Sequence, residues 1–162
     1  MSVLDGLIPV LYVRISPDRL SVTNAKSGET ISEPPELAIA GTPAKVIGAG
    51  AQARAAAALQ GGNVINPFMH PRTLISDFTV AEQLVKAFVK RMSGRHLFTP
   101  SPRVVIHPLG DPAGGFTQVE RRAFREMALG AGGSSVVVWS GRELSNEEVL
   151  SSRFPAGEGV AG

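Results

Sequence analysis

Apolar and polar positions alternate along this chain in three different rhythms, and each rhythm names an element. Between residues 74 and 92, LISDFTVAEQLVKAFVKRM places Val80, Leu84, Val85, Phe88 and Met92 on one face of a helix. Thr79 and Glu82 have the spacing of a capping box at its start, and Gly94 reads as its stop. Between residues 117 and 132, TQVERRAFREMALGAG repeats that box with Thr117 and Glu120. Val119, Ala123 and Met127 draw a stripe, and Gly130 and Gly132 supply a left-handed stop. Phe88 and Met127 are therefore expected in a core shared by two helices. Short continuous apolar runs at RVVIHP (103–108) and SSVVVWSG (134–141) bracket the second helix, and strand, helix, strand in that order implies parallel neighbours.

The first forty residues read as a β-meander. VLYVRIS (10–16), RLSVTNA (19–25) and ETISEPPELAIA (29–40) are separated by turn-like Ser-Pro-Asp and Lys-Ser-Gly. Pro34 and Pro35 cannot donate to a ladder, so the third strand is interrupted there or lies at an edge. Gly41, Thr42 and Pro43 open an inserted segment, which contains the strand-like AKVI and an alanine-dense helix (51–59) ending at Gly61 and Gly62. Ser145 and Glu148 give a third capping box, starting a short helix through Leu150. FPAGEGVAG (154–162) lacks periodicity and is expected to fray.

Composition narrows the function classes. A chain of 162 residues with 43% hydrophobic content is long enough for one packed domain. A formal charge of +2 without a basic stripe is too small for a nucleic-acid footprint, and Arg121 and Arg122 read as a solvated helix face. The absence of cysteine excludes disulfides and thiolate chemistry. No apolar run approaches the ~20 residues of a membrane span. The first residues lack the pattern of a signal peptide, so a cytoplasmic protein is expected. Val3, Leu4, Leu7 and Ile8 form an apolar patch that could support only weak peripheral membrane contact.

Candidate chemistry is sparse. His70, His96 and His107 have no carboxylate at helical spacing, so they read as surface or loop residues and no metal site is expected. Residues 48–53 satisfy the dinucleotide fingerprint G-x-G-x-x-A, but no acidic residue stands at the required distance beyond it, so a helix-entry turn is expected. Asp111 and His107 flank a loop after a strand's carboxyl end, a common ligand position in α/β folds. Trp139 is expected to be a packing residue.

The segment RVVI, a Pro/Gly turn and TQVERRAFREMALGAG resembles subdomain I of MreB, the bacterial actin homologue that determines rod shape. SEPPELAIA (32–40), KVIGAGAQARAAAALQGGNVINP (45–67) and LISDFTVAEQLVKAFVKRM (74–92) extend the resemblance in order over roughly residues 10 to 138. It implies an α/β fold with a ribonuclease H-like (actin-like ATPase) core: a mixed sheet with a β-meander, then β-α-β crossovers and a small inserted subdomain. The implied domains are an actin-like subdomain IA at 1–40 and 68–153, an inserted IB-like segment at 41–67 and a flexible tail at 154–162.

The resemblance also shows what has changed. The family's first turn carries Gly-x-Asp-x-Gly-Thr-x-x-Thr, and the matching positions here are Leu11, Val13, Ile15, Ser16 and Arg19. Val13 stands where the family has its magnesium-holding aspartate, both glycines are aliphatic, and Pro17 removes an N–H from the turn. Only Ser16 and Arg19 remain as candidates to meet a phosphate. Glu143 lies near the family's water-positioning glutamate, but the proline and alanine-rich helix found next to it there are absent. The second half of an actin-like protein, with its other phosphate loop and adenosine pocket, would lie beyond residue 162.

Neither ATP nor Mg²⁺ is therefore expected as a cofactor, and no catalytic residue is assigned. The leading expectation is a non-enzymatic MreB-like protein acting by protein contacts in cell-shape or envelope biology, joining or capping an actin-like filament or forming a homo-oligomer. Alternatives are a nucleotide-binding ATPase half completed by a partner chain, or a folded remnant without a selected role.

Overall fold

The computed structural model describes residues 5–93 and 99–162. Val3, Leu4, Gly94 and His96 lie outside them. The meander opens the larger of two sheets. Strand β1 (Val10–Ile15) pairs antiparallel with β2 (Leu20–Asn24), which pairs antiparallel with β3 (Thr30–Glu33). The meander breaks at Pro34, as its missing N–H requires. Strand β4 (Leu37–Ala40) turns away to become the centre of a second, three-stranded sheet between β5 (Lys45–Ala49) and β6 (Asn63–Ile65). The small lobe thus begins several residues before the expected boundary at 41.

Helix α1 (Ala53–Gln60) covers one face of the small sheet through Ala53 and Ala57, packed on Ala38. It ends at Gly61 in the left-handed region, as expected. The chain re-enters the main lobe at buried Phe68 and forms α2 (Phe78–Met92). Strand β7 (Arg103–Pro108), α3 (Gln118–Gly130) and β8 (Ser135–Gly141) complete the crossover, with β1, β7 and β8 mutually parallel. With β9 (Gly159–Ala161) at its edge, the main sheet has six strands in the order β3-β2-β1-β7-β8-β9.

Side-chain alternation on β1 splits the core in two. Leu11, Val13 and Ile15 face α2 and α3, joining Leu84, Val85, Phe88, Phe124 and Met127. Val10 and Tyr12 face the other way, with Val105, Trp139 and Leu144, and are covered by Val149 of the short helix α4 (Asn146–Ser151). The central strands of the main sheet are therefore buried on both faces, which explains why β1 and β7 read as continuous apolar runs. Among the described residues no helix is long and apolar enough to cross a membrane.

Four expectations change here. Helix α2 starts at Phe78, and Asp77, not Thr79, is its cap, its carboxylate accepting from Val80 N at 3.1 Å. On α3 the buried face is Phe124, Met127 and Ala128, and Val119 is 79% exposed. Steps of four residues drift around the helix, so that stripe leaves the face that the sheet covers. Gly132 adopts positive φ, but Gly130 remains helical. Residues 154–162 do not simply fray, because β9 pairs antiparallel with β8.

Both reciprocal bonds of the boxes at Thr117 and Ser145 are present. Replacing Thr117 or Asp77 by alanine is expected to cost about 1 kcal/mol each. Thr79→Ala should stay within about 0.5 kcal/mol, the range of surface substitutions. Urea unfolding of the three variants checks this, and a larger loss for Thr79 than for Asp77 would reverse the assigned cap.

Candidate functional site

Parallel strands β1, β7 and β8 all finish at the same edge of the sheet, so their carboxyl ends bring three connections together: residues 16–19, 109–117 and 142–145. Ligands of open α/β sheets bind in this position. An open cavity of about 670 Å³ lies there, lined in part by Asp111, Gly114, Gly115, Arg121, Ser140 and Val160.

Hairpin 16–19 is closed by bonds between Ser16 and the Arg19 backbone. Ser16 N donates to Arg19 O at 2.9 Å, and Arg19 N donates to Ser16 Oγ at 3.1 Å. The Ser16 hydroxyl donates to Arg19 O, and the Arg19 guanidinium donates to Ser32 O at 3.0 Å. Asn66 of the small lobe donates to Pro17 O at 2.8 Å. The Ser16 hydroxyl is thus engaged within the turn, and the exposed Arg19 side chain reaches across to β3. A phosphate nest needs successive free N–H groups, and Pro17 has none to offer. Val13 and Leu11 are fully buried and Ile15 nearly so, all in the larger core.

Arg121 is not a solvated residue. Its guanidinium donates to Ser140 Oγ and Val138 O, and Arg125 donates to Val136 O at 2.9 Å, so two arginines of α3 cap carbonyls of β8. Arg122 is exposed, as expected.

On the opposite face lies a buried polar network that the sequence did not announce. His107, expected on the surface, is 1% exposed because it sits on central strand β7 and faces α4. Its Nε2 lies 3.0 Å from Gly141 O, which can only accept, so Nε2 carries the proton. Nδ1 therefore accepts from the Tyr12 hydroxyl at 2.6 Å, and that hydroxyl accepts from Leu144 N at 3.1 Å. Arg14 stacks over Tyr12, donates to Thr23 Oγ1 at 3.2 Å and lies 3.8 Å from Glu143. Burial pushes the Tyr12 phenol up and the His107 imidazole down. Both groups stay neutral at physiological pH and serve as fixed hydrogen-bond partners. The available signal was Tyr12 and Arg14 at alternate positions of an otherwise apolar strand, with a histidine in the strand beside it.

The remaining sequence candidates resolve simply. His70 is exposed and accepts from Arg72 N. Among the described residues no group of histidine and carboxylate side chains is arranged to hold a metal ion. In the G-x-G-x-x-A segment, a Cβ on Gly50 would collide with Glu33 and Phe88, and Ala51 N donates to Glu33 Oε1 at 2.9 Å. A carboxylate already stands where a pyrophosphate would bind, so the helix-entry reading holds. Trp139 is buried, donates to Arg142 O at 2.8 Å and stacks on Phe154.

Two groups have pKa values below their ordinary ones. Arg142 and the Ser145 N–H hold Glu148 down to about 2. Its contribution is complete above the ordinary value near 4.5 and is lost as pH falls from there towards 2. Burial lowers His107, so the unfolded chain takes up its proton first. That contribution is complete above pH 6.5 and declines as pH falls below it. The melting temperature should therefore drop in two stages on acidification. His107→Gln should flatten the first and Arg142→Gln the second, and a first stage unchanged in His107→Gln would disprove the assignment.

Residues 18–144 match the family model described as MreB/Mbl protein. The chain belongs to the MreB/Mbl family. It is 36% identical over 114 residues to the cell shape-determining protein MreB of Escherichia coli K12, covering 67% of this chain and 31% of that protein. It is 29% identical over 109 residues to the cell shape-determining protein Mbl of Bacillus cereus, with the same coverage. It thus spans about a third of the length of these curated relatives. In fold it is similar to MreB5 of Spiroplasma citri in crystal structures bound to AMPPNP (TM-score 0.60, 18% identity) and to ADP (TM-score 0.59, 20% identity). These likenesses cover 81% of this chain and 38% and 37% of those chains, and they establish an α/β, actin-like fold.

Proposed function

We propose that this MreB-family chain works in bacterial cell-shape biology on the cytoplasmic side through protein contacts, without hydrolysing a nucleotide. The observation that carries this reading is the first hairpin. Its strand puts Val13 in the dry core, its turn bonds the Ser16 hydroxyl internally, the Arg19 guanidinium reaches Ser32 O on β3, and Pro17 offers no N–H. Phosphoryl transfer needs charge-stabilising groups and a metal aimed at the phosphates. Neither is supplied by this turn.

A contact surface supports the other half of the reading. Leu74, Ile75, Phe78, Val119 and Ala123 line a shallow apolar groove of about 190 Å³ between the start of α2 and the start of α3. Val119 is 79% and Phe78 39% exposed. Large apolar side chains gathered at one exposed place mark interaction sites. The partner is an actin-like filament subunit or a second copy of this chain.

Melting with and without millimolar Mg²⁺-ATP tests the proposal. A ligand at about 100 times its dissociation constant adds about 2.7 kcal/mol of stability, or several degrees on a domain of this size. No shift is expected. A clear shift would favour the rival reading, an ATPase half completed by another chain, to which the nucleotide-bound fold relatives lend weight.

A further inference from the structure

The family match ends at Leu144, and residues 145–162 fold back onto the molecule. After α4 the chain turns through residues 152–158, and β9 runs antiparallel along β8 with Trp139 opposite Ala161, Ser140 opposite Val160 and Gly141 opposite Gly159. Val138 and Gly162 exchange two further backbone bonds, of 2.7 and 2.9 Å. Side chains add little: Val160 is 57% exposed, and β9 buries no large apolar group. Its anchors are the main chain, the Arg142–Glu158 ion pair at 2.7 Å and Phe154 stacked on Trp139.

Two features say what this edge accepts and how its cover can leave. A Cβ at 159 would collide with the Trp139 indole and with Ser140 O, and one at 141 would collide with the Gly159 backbone. The edge therefore takes only a strand that presents glycine at this crossing, and the β9 sequence Gly-Val-Ala does so. Upstream, Ser152 sits at φ 56, the only non-glycine residue at positive φ among the described ones. A side chain is strained there, and opening the hinge into an extended conformation releases that strain.

We propose that β9 is an exchangeable strand and that the edge of β8 from Val138 to Gly141 is a docking site for the β9 of a second copy of this chain. Reciprocal exchange hinged at Ser152 would remake every contact between molecules: the four ladder positions, Trp139 with Phe154, and Arg142 with Glu158. Only the hinge would change, and exchange of identical elements is a low-cost route to a two-fold dimer. The surface is distinct from the groove at Val119 and does not depend on the absence of nucleotide.

The chain has no cysteine, so introduced thiols report without background. Ser140 and Val160 are ladder partners. In the double variant S140C/V160C, dilute oxidation should close a bond within one chain and so establish the register. The decisive sample mixes chains carrying S140C alone with chains carrying V160C alone, incubated together at high concentration before oxidation. Exchange predicts a disulfide-linked heterodimer, identified by mass, that disappears when the V160C chain also carries Gly159→Val. Equal heterodimer yield with and without Gly159→Val would mean random collision and overturn the proposal. So would no heterodimer from chains whose double variant closes normally, and so would a double variant that fails to close.

Discussion

Phe88→Ala should lower stability by about 3–5 kcal/mol, the loss for truncating a fully buried aromatic side chain. On a domain this size that corresponds to a melting shift on the order of 10 °C. Phe88 is fully buried in the core between α2 and the main sheet, and it does more than fill space. A Cβ on Gly50 would collide with its ring, so the ring lies against the junction of the two lobes. Arg91 stacks over it at 5.3 Å while forming a bidentate pair with Glu33, whose carboxylate also accepts Ala51 N. Removing the ring leaves a cavity and loosens the pair that ties β3, α2 and the small lobe together. Phe78→Ala on the same helix is the control: Phe78 is partly exposed and should cost far less. Melting of the two variants within a degree or two of each other would refute the assigned helix face.

Where burial on one side of an element was strong, the sequence could be read. The stripe on α2 was legible because its apolar content matches one helical period, and the parallel strands around α3 because they are short continuous apolar runs on either side of a helix whose cap, Thr117, is in place. Proline marked the break between β3 and β4, although not that β4 would centre another sheet, because a strand's partner is a long-range property. Asp77 and Thr79 both have cap chemistry two residues apart, and only the backbone path decides between them. Val119 failed because four-residue steps drift around a helix of 3.6 residues per turn. His107 failed because a histidine in a buried strand is identical in sequence to one in a loop; its partners, Tyr12 and Gly141, lie 95 and 34 residues away. Strand β9 failed for a different reason. Three small residues held by main-chain bonds leave no periodicity to find.

The resemblance implies that residues 11–19 replace the family's phosphate turn, and the structure gives those side chains a physical setting. Val13→Asp, which puts a carboxylate where the resemblance implies that the family has one, should be severely destabilising, on the order of 3–5 kcal/mol, the penalty for an uncompensated buried charge. Val13 has no exposed surface and is packed among Leu11, Ile15 and the apolar faces of α2 and α3. The nearest cation on β1, Arg14, points to the opposite face, where it engages Tyr12, Thr23 and Glu143. With no partner, the introduced carboxyl would have a folded pKa raised above its ordinary value near 3.9. Stability would then be highest below that value and fall as pH rises through the range where the unfolded chain ionises. The variant should therefore lose more relative to the parent at pH 7 than at pH 4, and Mg²⁺-ATP should not restore the difference. Val13→Asn separates charge from shape: it carries a polar group of similar size but cannot ionise, so its loss should not vary with pH in that range. If Val13→Asp instead matches the parent in stability and gains a melting shift with Mg²⁺-ATP, then the strand can still turn a carboxylate towards a metal. The reading of the hairpin as closed to phosphate would then fail at its central residue.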